Sequence, residues 1–170
     1  MSEERLRVVA AAGLVVGALL GIAGTFAASD QLRALAWGAD GIALIIGSAL
    51  LVVHHARRGN DLLAGGFLVF LAGETLIVAG SGMDLTASAP LLAAGAGLWA
   101  GGLALVSLSP VMPGLVRLTG MIAAILFAVT AAQIFNGMGL TALSQPLPFF
   151  GYPFLAVTLV GWAWVHVRSR

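Results

Sequence analysis

Six apolar runs of about twenty residues follow one another along the chain, each set off by a short polar or Pro- and Gly-containing stretch. They predict helices over Val8–Ala28, Ala34–Val53, Leu62–Gly80, Pro90–Leu108, Leu115–Phe135 and Leu147–Val167. At about 1.5 Å of rise per residue, a run of this length matches a bilayer core of about 30 Å. The pattern predicts an all-α, polytopic membrane protein: six transmembrane helices in a single domain over residues 1–170. The first run has Arg5 and Arg7 before it and small residues after it, as a signal peptide does. It is longer than the usual signal core of about 7–15 residues, so a retained helix is expected. Pro90 suits a first helical turn, and Pro153 should bend the outer half of the sixth helix by removing a backbone donor.

The runs are not independent of one another. The third run and its following loop align with the fifth at a single offset: Leu63, Gly65, Leu71, Thr75, Gly82, Met83, Leu85, Thr86 and Ala87 match Leu118, Gly120, Leu126, Thr130, Gly137, Met138, Leu140, Thr141 and Ala142. More loosely, Gly41, Gly47, Leu51 and Val52 match Gly95, Gly101, Leu105 and Val106. The reading is three tandem helical hairpins related by an axis normal to the membrane, with any site where the repeats meet. Within the first run, Gly13, Gly17 and Gly21 recur every fourth residue, a spacing that lets a second helix approach closely.

Composition sharpens the class. Hydrophobic residues make up 60% of the chain and charged residues only 9%, against about 25% charged in soluble domains. The net charge of +1 gives no footing for binding a polyanion, and nucleic acid is not an expected partner. The absence of cysteine excludes disulfides, iron–sulfur ligation and thiolate zinc sites. Arg5, Arg7, Arg57, Arg58, Arg117, Arg168 and Arg170 fall on one side of the threaded chain and only Arg33 on the other. Both termini are therefore expected in the cytoplasm of a bacterial inner membrane. Trp37, Trp162 and Trp164 read as interfacial belt residues, and Trp99, in mid-helix, as packing.

The candidate chemistry is sparse. Asp40 and Glu74 are the acidic residues within the predicted spans. Threading places both in the outer half at similar depth. Two close carboxyl groups can hold a proton between them or bind a cation; alternatively each is satisfied by local hydroxyl or backbone groups, or by a shallow outer vestibule. The position matching Glu74 in the fifth helix is Val129, so the carboxyl group breaks the repeat. Thr75 and Thr130 either face a common interior or bond back to their own helices. Gln133 and Asn136 are either vestibule or loop residues. His54, His55 and His166 lie at cytoplasmic helix ends beside Arg, where cations suit the helix C-terminus. No metal site and no cofactor are expected from them. No nucleophile elbow, zinc-protease helix or phosphate loop is present, so the chain is not expected to be an enzyme.

The stretches GIALIIGSALLV and ARRGNDLLAGGFLVFLAGETLIV resemble, in layout and glycine spacing, the bacterial acid-resistance membrane protein family (HdeD-like). More distantly the chain resembles the six-helix urea and amide channels. The first resemblance implies a stress-associated inner-membrane protein, the second a small-solute pore; neither carries a functional residue over. Two functions are thus expected: a non-enzymatic stress-associated or accessory component, or a small-solute or proton channel or transporter with its acidic site at Glu74 and Asp40. The expected partners are the lipid bilayer and either further copies of the chain or a larger membrane complex.

Overall fold

The computed structural model describes residues 2–137 and 146–168. It contains six helices: α1 (Glu3–Thr25), α2 (Asp30–Arg57), α3 (Asp61–Gly80), α4 (Leu85–Leu108), α5 (Gly114–Phe135) and α6 (Pro146–Arg168). All six are long and apolar enough to cross a membrane. The repeat partners Met138, Leu140, Thr141 and Ala142, and Arg170, lie outside the described residues.

Several helices begin earlier than hydrophobicity alone predicts, because polar caps extend them beyond the apolar run. The hydroxyl of Ser2 accepts from Arg5 N, so α1 starts at Glu3 rather than Val8. Ser29 caps α2 in the same way through Leu32 N, so α2 starts at Asp30. The Asp84 carboxylate accepts from the backbone N–H groups of Thr86 and Ala87, at 3.1 and 3.0 Å, and starts α4 at Leu85. Pro90 therefore lies inside α4 and not in its first turn, contrary to expectation. At its other end α2 runs past both histidines to Arg57. Gly59, at φ 69°, ends it with a Schellman turn: Gly59 N bonds to Ala56 O and Asn60 N to His55 O.

Each helix packs on its neighbours in the chain, and α6 closes against α1, so the bundle is a ring. The backbones approach most closely at glycines. A Cβ on Gly13 would stand 2.8 Å from Ala43 O, and one on Gly47 would stand 3.0 Å from Ala10 O, which locks α1 to α2. Gly73 and Gly95 do the same for α3 and α4, where a Cβ on either would lie within 3.0 Å of the other's carbonyl oxygen. The loosely matched pair Gly41 and Gly95 is not equivalent in packing: Gly41 faces across to the next hairpin at Val78, whereas Gly95 faces its own hairpin partner.

Side chains fill the centre of the ring. Phe67 of α3 meets Trp162 of α6 edge to face at 4.9 Å, across the diameter of the bundle. Phe70 joins Trp162 at 5.5 Å and Trp99 at 5.9 Å, and Trp99 contacts Phe127 at 5.1 Å. Phe67, Phe70 and Trp162 are fully buried. Trp162 is thus a core residue and not the interfacial belt residue expected. Trp164, two positions on, is exposed and carries the Arg168 guanidinium over its ring. The described arginines of the expected cytoplasmic group gather at one end of the ring, where Arg58 donates to Glu3 and Arg117 to Ser107 O. Arg33 pairs with Asp30 at the other end.

Candidate functional site

Asp40 and Glu74 are set by helix rotation and by glycines opposite them. Asp40 turns from α2 towards α1, where the Gly17–Gly21 part of the glycine stripe leaves room for it. Cβ atoms there would stand 3.1 Å from Asp40 Oδ1 and 3.0 Å from Oδ2 respectively. The stripe therefore has two uses: Gly13 packs on the α2 backbone, and Gly17 and Gly21 receive a carboxyl group. Glu74 turns from α3 towards α2, where its Oε1 lies 3.0 Å from the place a Cβ would occupy on Gly41. Glu74 is 2% exposed. The two carboxyl groups lie within electrostatic range of each other.

Asp40 sits deeper in its helix than expected, because α2 starts at Asp30: ten residues in rather than six, or about 15 Å. Glu74 remains six residues from the end of α3 at Gly80, or about 9 Å. A small cleft opens at Asp40, bounded by Gly17, Gly21, Leu44, Trp99, Tyr152 and Leu159 among others. It has about 20 Å³ of free space, room for about one water molecule.

Two residues that sequence reasoning did not assign to the site complete it. Tyr152, the single tyrosine of the chain, lines the cleft and lies within electrostatic range of both carboxyl groups. Trp99 lines the cleft too and interacts electrostatically with Glu74. Its indole N–H falls outside hydrogen-bond geometry, so Trp99 Nε1, Glu74 Oε2 and Asp40 Oδ1 are all buried without a hydrogen-bond partner. A lone tyrosine and a mid-helix tryptophan were the available signals, but nothing in their spacing places them opposite Glu74.

The other candidates do not join this site. Thr75 is exposed and Thr130 is buried, so they share no interior. Each bonds back to its own helix, Thr75 to Leu71 O at 3.0 Å and Thr130 to Leu126 O at 2.9 Å. Gln133 and Asn136 border a shallow outer hollow with Val129, and Asn136 donates to Ala132 O.

The histidines depart from expectation. His54, His55 and His166 are buried and converge at the arginine-rich end. His166 Nδ1 lies 2.6 Å from Trp162 O, and its Nε2 lies 2.8 Å from His55 Nε2. A carbonyl oxygen only accepts, so Nδ1 of His166 carries the hydrogen, and its neutral ring accepts at Nε2 from the Nε2–H of His55. His55 stacks on Phe67 at 5.6 Å, and Nδ1 of His54 lies 3.4 Å from Glu3 Oε1. With their ring nitrogens committed to each other, His55 and His166 form a hydrogen-bonded clasp between α2 and α6. Among the described residues no group of His, Asp or Glu is placed to hold a metal ion.

No family model matches the chain, and neither does any curated protein or solved structure.

Proposed function

We propose that this chain is a non-enzymatic, multi-pass component of a bacterial inner membrane that does not conduct through its own centre. One observation carries this reading: the aromatic side chains of α3, α4, α5 and α6 meet across the middle of the ring, with Phe67, Phe70 and Trp162 fully buried. A solute path along the axis would have to displace them. The arginine-rich end, with both termini, is the cytoplasmic one. The close seams within α1–α2 and α3–α4 support a hairpin as the building unit. The layout resemblance noted above supports a stress-associated or accessory role.

Reconstitution tests this. Purified protein in proteoliposomes should pass protons, urea and small amides no faster than protein-free vesicles, and purification in mild detergent should recover an oligomer or a larger complex. Flux above the vesicle baseline would overturn the reading. It would favour the second one, a small-solute or proton pathway, for which the buried Asp40–Glu74 pair is the supporting observation.

A further inference from the structure

The acidic pair takes a ligand whether or not the bundle conducts, so this inference is independent of the reading above. Every other acidic side chain of the protein, Glu3, Glu4, Asp30, Asp61 and Asp84, is exposed at a helix end. Asp40 and Glu74 alone lie inside the bundle, at a junction where α1, α2, α3, α4 and α6 come together. Their surroundings are mostly carbon: Leu44 and Val78 beside them, Leu155 and Leu159 across the cleft. No basic side chain borders the cleft among the described residues. Two ionised carboxylates in this setting would repel each other and would lack both water and a counter-ion.

Three buried polar atoms at this junction lack a partner: Asp40 Oδ1, Glu74 Oε2 and the indole N–H of Trp99. The third is independent of the carboxyl groups and is a donor, on a side chain only 4% exposed. The junction therefore offers one fixed donor to two carboxyl groups, and what it lacks is positive charge. A metal cation does not supply it well. Hard cations gather about six or more oxygen ligands, and the cleft has room for about one water and walls largely of carbon. A proton needs neither space nor further ligands. It removes one charge, converts that carboxyl group into an O–H donor, and leaves the other as the acceptor.

We propose that Asp40 and Glu74 form a one-proton site, in which a single proton is held on the pair and exchanges through the one-water cleft beside Gly17 and Gly21. Trp99 donates towards the group that remains ionised, and Tyr152 borders the cleft where water meets Asp40. The glycine stripe of α1 is then an access wall as well as a packing seam.

Infrared spectroscopy of the full chain in liposomes at neutral pH tests this. The expected result is a carbonyl stretch from a protonated carboxylic acid that shifts on transfer to D2O. It should be unchanged when sodium replaces choline as the bulk cation, and absent from the Asp40→Asn/Glu74→Gln double variant. Both substitutions are near-isosteric and neutral, so the variant mimics the protonated state and should fold. Absence of the band from the unsubstituted protein would overturn the proposal, as would its persistence in the double variant. Loss of the band on adding sodium would also overturn it, in favour of a metal-cation site.

Discussion

Gly101 and Gly102 are adjacent in α4, identical in chemistry, and opposite in what they face. A Cβ on Gly102 would lie 2.6 Å from Phe70 N and 2.8 Å from both Gly66 O and Phe70 Cα, all backbone atoms of α3 that cannot rotate away. A Cβ on Gly101 would meet only Val69 Cγ1, at 3.5 Å, an ordinary contact. Gly102→Ala must therefore push α3 and α4 apart by most of an ångström, and overpacking of this kind costs about 1–3 kcal/mol. Both substitutions gain the same helix propensity, about 1 kcal/mol in water, so comparing the two neighbours cancels that term. The expected difference is about 1–3 kcal/mol in stability. That corresponds to about 2–4 °C in Tm per kcal/mol for a chain of this size. Tryptophan fluorescence during thermal or detergent-driven unfolding in mixed micelles would report it. The same separation should loosen Trp99 from Glu74, because this seam holds them together. Equal stabilities for the two variants would refute the close backbone seam.

Three further outcomes follow from the packing. Replacing His55 by Leu should cost about 1–3 kcal/mol, because it leaves a buried ring nitrogen of His166 unpaired; the double-mutant cycle with His166→Leu should show a coupling of about 0.5–1.5 kcal/mol, and additive costs would sink the clasp between α2 and α6. Asp84→Ala removes the cap of α4 and should lower stability by about 0.5–2 kcal/mol in the same unfolding assay, and an unchanged midpoint would argue against the cap. Because the chain has no cysteine, single-cysteine variants map topology directly: an impermeant maleimide applied to spheroplasts should label Met83→Cys at once but Arg57→Cys only after lysis, and the reverse pattern would invert the protein in its membrane.

How far the sequence reaches can be seen residue by residue. The existence and type of all six helices follow from apolar runs of bilayer length, because each satisfies its own backbone hydrogen bonds in a medium without water. The depth of Glu74 follows as well, since depth along a helix is a matter of counting. Starts and stops were less legible. Asp84 and Ser29 extend their helices into polar sequence, so Pro90 falls inside α4 and Asp40 sits deeper than hydrophobicity suggests.

The direction each side chain faces was not legible. In a soluble helix the apolar stripe shows which face is buried, but here lipid and core are both apolar, and the pattern carries little record of rotation. Hence Trp162 and Trp164 look alike in sequence, yet one plugs the bundle and the other faces outward. His55 and His166, 111 positions apart, read as two helix ends until the closure of α6 on α1 brings them to 2.8 Å. Sequence by itself determined the class, the spans and the presence of two intramembrane carboxyl groups, because lipid imposes length and polarity on every run. Only the tertiary structure decided that Asp40 faces Gly17 and Gly21, that Glu74 meets Trp99, and that the centre is filled. Those depend on helix rotation and ring closure, which close packing between neighbours sets and apolar composition does not encode.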